Sequence, residues 1–172
     1  MNTTSKIRRA LRQLSFLSDV CVVGGAVRDA LIGRESDDID IATSDRPQEV
    51  KRKAEERGWK TVDTGIEHGT VTLLARDIEY GVTTFRRDVS TDGRNATVEF
   101  ADSVEEDLGR RDFTINAMAA ALAGNHVRII DPFGGQSDIE AEVVRTVGNP
   151  KTRFREALLR IVRAIRLSCR YG

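Results

Sequence analysis

An apolar run, Val20-Cys21-Val22-Val23, stops at Gly24-Gly25, and about a dozen residues later Asp38-Ile39-Asp40-Ile41 alternates acid with isoleucine. No other feature constrains the fold as much. The first run reads as a buried strand entering a tight turn, and Ala26 to Leu31 as a helix closed by Gly33. Asp37 to Thr43 carries the two-residue period of a half-buried strand. On such a strand Asp38 and Asp40 share one face while Ile39 and Ile41 enter the core, and Asp37 points the other way.

The rest of the chain supplies alternating helices and strands. Residues 1–17 are basic and acid-free (Lys6, Arg8, Arg9, Arg12), and Ile7, Leu11 and Leu14 recur at helical spacing, which predicts a first helix. Pro47 can open a helix that Gly58 closes. Val71 to Ala75 and Tyr80 to Phe85, linked by Arg76-Asp77, predict a hairpin. Residues 88–96 read as a polar loop before a strand over Thr97 to Phe100. Ser103 with Glu106 forms a capping-box pattern, predicting a helix that runs to about Leu122. A last strand, Val127 to Ile130, leads into Pro132-Phe133-Gly134-Gly135. From Thr152, Phe154, Leu158, Ile161, Ile165 and Cys169 fall on one face of a helix. The expected fold class is α/β (α+β), a small mixed sheet flanked by helices, with a helical extension: 1–148 form one domain and 149–172 the extension.

Composition narrows the function classes. At 172 residues, 40% hydrophobic and 31% charged, the chain suits a globular domain and not a disordered one. No apolar stretch approaches the roughly 20 residues of a membrane-spanning helix, so no membrane role is expected. Cys21 and Cys169 are too few for a disulfide framework, form no CxxC pair, and have only His68 and His126 beside them, which argues against a zinc site and for a reducing cytoplasm. The balance of 27 basic against 27 acidic residues conceals an asymmetry. Residues 145–172 hold eight basic residues and one acid, and the first 144 hold 19 basic and 26 acidic. Alone, the basic stretch, with Arg155, Arg163 and Arg166, reads as a solvated helix face; beside a domain that handles RNA ends it becomes the candidate for phosphate and RNA binding.

Three motifs carry chemistry. In Gly24-Gly25-Ala26-Val27-Arg28-Asp29 the glycines let backbone approach a ligand and Arg28 adds positive charge, suiting a phosphate; a plain tight turn is the bland alternative. It is not a Walker A loop, lacking the GK[ST] ending. Asp38 and Asp40 bring two carboxylates together, an arrangement relieved by a hard cation such as Mg²⁺ with substrate phosphates; a solvated strand face is the alternative. In Arg110-Arg111-Asp112-Phe113-Thr114-Ile115-Asn116, placed in a predicted helix, Asp112 and Asn116 are four apart and neighbours on one face, suiting a sugar or base with an arginine on phosphate.

The GG turn, the DxD strand, Val82-Thr83-Thr84-Phe85-Arg86, Arg110 to Ala119 and Asp131-Pro132-Phe133-Gly134-Gly135 follow in order. The chain thereby resembles the polymerase-β-like head of class II tRNA nucleotidyltransferases (CCA-adding enzymes) and bacterial poly(A) polymerases, from about Val20 to Gly172. The resemblance implies a metal-dependent, template-independent transfer of CMP or AMP from CTP or ATP to an RNA 3′ end, most readily that of tRNA, releasing pyrophosphate. It implies Asp38 and Asp40 as ligands of two Mg²⁺ ions, Gly24, Gly25 and Arg28 on the triphosphate, Arg111, Asp112 and Asn116 on phosphate and ribose, and the loop at 88–96 as a gate for the nucleotide. It also implies a nucleotidyltransferase head over 1–148 and the start of a helical neck over 149–172.

Two positions depart from the family. Where it carries a glutamate before Val-Thr-Thr-Phe-Arg this chain has Gly81, and Glu79, two residues upstream, is the substitute candidate for a third acid. Where the family's Glu-Asp-x-x-Arg reads the base, this chain has Glu156-Ala157-Leu158-Leu159-Arg160, so Arg160 remains while Ala157 accepts no hydrogen bond; relaxed or altered nucleotide choice is expected. The family continues into further tRNA-binding helices, so the chain is a fragment, a subunit completed by a partner, or a minimal enzyme. Competing readings are poly(A) synthesis, addition of a single nucleotide, a degenerate nucleotide- or RNA-binding module without catalysis, and transfer to a protein or small molecule.

Overall fold

The computed structural model describes residues 2–75, 78–91 and 96–171. Three amphipathic or capped segments become helices first: α1 (Thr3–Gln13), α2 (Gly25–Leu31) and α3 (Pro47–Glu55). Asn2 caps α1 by accepting from the Ser5 amide at 3.0 Å, and Pro47 occupies the first turn of α3, where its missing N–H costs nothing. The central strands are β1 (Cys21–Val23), β2 (Ile41–Thr43), β3 (Lys60–Gly65), β4 (Thr70–Ala75) and β5 (Ile78–Thr84). With β8 (Ala119–Ala123) and β9 (His126–Ile130) they form one seven-stranded sheet in the order β3-β4-β5-β2-β1-β8-β9. Only the β2–β5 pair is parallel (Ile41 opposite Val82); β1 runs antiparallel to both β2 and β8. A separate two-stranded ribbon joins β6 (Arg86–Thr91) to β7 (Ala96–Phe100).

Strand alternation sorts the core onto two faces. Val22, Ile41 and Val82 enter a cluster with Ile7, Leu11, Leu14, Val27 and Val50, which packs α1, α2 and α3 against one side. Their neighbours Cys21, Val23 and Ala42 enter the opposite cluster with Phe85 and Leu108. Burial raises the Cys21 thiol to about 12, helped by the negative charge of Asp107 and countered by Arg111.

Four expectations need correction. The helix expected to reach Leu122 ends early: α4 spans Val104–Gly109, a 3-10 turn covers Thr114–Asn116, and the alanine-rich stretch becomes β8. Alanine favours helix, but pairing of Ala120 with Val22 on one side and Ile129 on the other overrides that preference. Polar β3, an edge strand, carries no hydrophobic alternation that predicted it. Asp88–Thr91, expected within a loop, are strand paired with β7, and 92–95 lie outside the described residues, as does the Arg76-Asp77 link. The DxD segment is strand only from Ile41; Asp38 to Asp40 precede it without regular secondary structure, with the Asp40 carbonyl accepting from the Val23 amide at 3.0 Å.

The C-terminal segment is two helices. After α5 (Gly135–Glu140), α6 spans Pro150–Glu156 and α7 spans Leu159–Tyr171, broken at Ala157 with φ −156° and ψ 109°. The expected apolar face is divided: Phe154 packs on the cluster of Phe113, Ile115 and Leu167, while Leu158 is 74% exposed, Ile165 61%, and Cys169 is exposed. The face that meets the head carries Ala164, Leu167 and Tyr171, packed with Phe113 and Ile115.

Candidate active site

The end of β1, the DxD segment, the residues after α4 and the inner face of α7 enclose an open cleft of about 620 Å³. Its first wall is the turn into α2. Gly24 sits at φ +79°, a conformation only glycine adopts readily, and a Cβ there would lie 2.7 Å from Arg111 Nη1 and 3.8 Å from Asp40 Oδ2. The turn is pinned by the Gly24 amide donating to the Met118 carbonyl at 3.1 Å. Beside it Asp38 and Asp40 both open onto the cleft. Protein crowding raises the pKa of the Asp40 carboxyl, the charge of Asp38 raises it further, and Arg111 partly offsets both. Asp37 points away and bonds Lys6 Nζ at 2.6 Å, which lowers its pKa.

The facing wall is cationic. Buried Asp107 organises it: Oδ1 accepts from Arg110 Nε at 3.1 Å and from the Arg86 amide at 3.2 Å, and Oδ2 from Arg111 Nη2 at 3.2 Å. Among the described residues, Nε of Arg111 is buried without a hydrogen-bond partner. Although the predicted helix is absent, Asn116 still bonds Asp112, Nδ2 to Oδ1 at 3.2 Å, because the 3-10 turn folds it back. The second oxygen of Asp112 accepts from Arg163 Nη1 of α7 at 3.1 Å. Arg160, Arg166 and Arg170 complete the cationic side.

The structure therefore gathers Gly24, Gly25, Arg28, Asp38, Asp40, Arg111, Asp112, Asn116, Arg160, Arg163 and Arg166 around one cleft. Two expected residues do not line it. Glu79 is exposed on the face of β5 shared by Gly81 and Thr83, but only Thr83 reaches the cleft. Arg155 is exposed on α6. Arg28, expected to offer its charge to phosphate, is largely committed: Nε and Nη2 donate to Asp29 Oδ1 at 3.0 and 2.9 Å, and Nη1 donates to Asn116 Oδ1. Sequence reasoning missed Asp107 and Tyr171. Asp107 hid inside the capping helix, and its i, i+3 and i, i+4 spacing to Arg110 and Arg111 was the available signal.

At the junction of α6 and α7, Glu156 bonds both Arg153 and Arg160, and Arg160 Nη1 also donates to the Arg153 carbonyl at 2.9 Å. Burial works to raise the Glu156 pKa, but the two arginines outweigh it and lower it. Ala157 contributes no side-chain polar group at the helix break.

Two carboxylates on one wall and arginines on the other suit a divalent cation held against a phosphorylated ligand. Residues 20–145 match the model of the poly A polymerase head domain, and the chain belongs to that family. Among curated proteins it is 47% identical over 152 residues to the CCA-adding enzyme of Bacillus subtilis and 51% over 146 residues to that of Streptococcus gordonii. These alignments cover 87% and 84% of the chain but 36% and 35% of the relatives, so it spans about a third of their length. Of solved structures, the Bacillus stearothermophilus CCA-adding enzyme in complex with CTP superposes with TM-score 0.78 at 43% identity, covering 96% of this chain and 39% of that one. The Thermotoga maritima CCA-adding enzyme complexed with tRNA gives 0.71 at 30%, covering 95% and 40%. The mixed α/β fold expected from sequence is thus that of the family's head.

Proposed function

We propose that this chain carries the catalytic head (1–148) and first neck segment (149–172) of a nucleotidyltransferase that adds CMP or AMP to the 3′ end of tRNA, working in the cytoplasm. The observation that carries this is the opening of Asp38 and Asp40 onto the cleft shared by the Gly24-Gly25 turn and the arginine wall. The relatives' names and the CTP and tRNA complexes support the substrate classes.

The donor set fits Mg²⁺. Two adjacent carboxylates, one with its pKa raised by burial and then by the other's charge, gain from a hard cation, and Mg²⁺ needs few protein ligands when water and phosphate complete its shell. Bound by Asp38 and Asp40, a Mg²⁺ pair supplies charge neutralisation and a more acidic 3′-hydroxyl. Gly24 and Gly25 let the guanidinium groups of Arg111 and Arg28 lie close against the turn beside the cleft where the triphosphate would bind, and Arg111 faces the charge that builds on phosphate. Asp112 and Asn116 sit where a ribose can be gripped. The 3′-oxygen then bonds the α-phosphorus as the bond to pyrophosphate breaks. Gly81 leaves the Glu79 carboxylate outside the cleft, so the two aspartates act without a third acid from β5.

Ala157 favours a specific refinement. With no acceptor at 157 and Arg160 tied to Glu156, the base edge meets fewer fixed partners, so discrimination between CTP and ATP is relaxed.

The test is to incubate the chain with Mg²⁺, labelled CTP or ATP, and tRNA ending before CCA. Labelled tRNA is expected, falling by at least about a thousandfold in the Asp38→Ala, Asp40→Ala double variant. Labelling that persists in the variant overturns the metal assignment, and strict C-then-C-then-A order refutes relaxed choice.

A further inference from the structure

Tyr171 lies near the far end of α7 from the helix break, yet it reaches the core of the site. Its hydroxyl donates to Asp29 Oδ1 at 2.9 Å, the oxygen that also holds Arg28. Its ring lies 4.3 Å from the Arg28 guanidinium carbon and 4.9 Å from that of Arg34. Arg34 Nη1 in turn donates to the Arg170 carbonyl at 2.9 Å, fixing the end of the helix. From Arg28 the contacts continue to Asn116, from Asn116 to Asp112, and from Asp112 back to α7 through Arg163.

These contacts close a circuit. Arg163 and Tyr171 are the two ends of this circuit on the helix, with Leu167 packed on Phe113 and Ile115 between them, and the links from one end to the other are hydrogen bonds and a ring contact. Arg28 spends three of its five N–H groups inside this circuit. It is 7% exposed and Asp29 5%, so neither is free to reorient in solvent. Asn116 thus depends on Arg28 for its orientation, and Arg28 depends on Tyr171 for one face of its guanidinium.

We propose that Tyr171 is a positioning residue: by stacking on Arg28 and bonding Asp29 it orients Asn116 from α7, so that nucleotide affinity depends on docking of that helix end. This rests on the cleft being a nucleotide site. Two contacts act and can be separated. Tyr171→Phe keeps the ring and loses the bond to Asp29; Tyr171→Leu loses both. A half-buried cation–π contact supports an effect of about fivefold, and the hydrogen bond a further factor of about three.

The experiment measures KM and kcat for CTP and ATP in the wild-type chain and both variants, with thermal unfolding of each. A second readout is the nitrogen-15 NMR signal of the Arg28 Nε–H group, which Asp29 shields from exchange. Expected are a KM raised about threefold in Tyr171→Phe and about fifteenfold in Tyr171→Leu with kcat within twofold, and faster Nε–H exchange in the same order. Unchanged KM and exchange in Tyr171→Leu overturn the proposal, as does a uniform loss of kcat that tracks lost thermal stability. If the wild-type chain neither binds nor transfers nucleotide, the reading of the cleft fails instead, and the exchange measurement still decides whether Tyr171 holds Arg28.

Discussion

Helices α1 and α7 are both amphipathic and both rich in arginine, yet they meet the protein in opposite senses. In α1 the apolar residues Ile7, Ala10 and Leu11 are buried, and Arg8, Arg9 and Arg12 face solvent. In α7 the arginines at 160, 163, 166 and 170 line the cleft, and Leu159, Val162 and Ile165 face outward at 71%, 63% and 61% exposure. Periodicity divides a helix into two faces; it does not say which face meets the head. That depends on what the head presents, a bare sheet surface to α1 and the carboxylates of Asp112, Asp29 and their neighbours to α7.

The two environments are separable by experiment, most sharply through the cysteines. Cys169 is exposed on α7 while burial holds the Cys21 thiol up at about 12. Iodoacetamide at pH 8 is therefore expected to modify Cys169 roughly a thousandfold faster than Cys21, read by peptide mass spectrometry; equal rates mean that the core around β1 opens readily. The same shift has a stability consequence. Because the folded pKa lies above the ordinary thiol value of 9.0, the contribution of Cys21 is complete below pH 9 and declines as pH rises from there towards 12.

Leu11→Ala comes next, at about 3 kcal/mol of lost unfolding free energy by urea titration, since Leu11 is fully buried under α1. Less than 1 kcal/mol would mean that α1 is only loosely attached. Arg163→Ala is expected to weaken nucleotide binding about tenfold by losing the charged bond to Asp112, with a stability change under about 1 kcal/mol because Arg163 is half exposed. A loss of stability without a loss of affinity would make α7 like α1. The smallest effect belongs to Ile165→Ser, within about 0.5 kcal/mol of wild type; a larger loss would show that the outward face is covered.

What could be read from sequence follows the same division. The GG turn, the DxD pair and Arg110 to Asn116 were legible because their residue types and spacing survive errors in secondary structure: Asn116 meets Asp112 through a 3-10 turn as it would through a helix. Strand β8 was not legible, because Ala119 to Ala123 owe their extended form to the strands beside them. Nor was the break at Ala157, since the apolar spacing from Phe154 to Cys169 continues across it. Tyr171 acts through Asp29 and Arg28, contacts made at a distance in sequence, whereas Asp107 binds Arg110 and Arg111 three and four residues on and was hidden by its place in the capped helix.

The clearance at Gly24 sets a limit on how this cleft can be remade. Between the backbone there and Arg111 Nη1 there is room for a hydrogen atom and nothing larger, since a methyl carbon would stand 2.7 Å from the guanidinium. At position 24 the tolerance of the machine is a single atom, and every replacement must be matched by moving its opposite number.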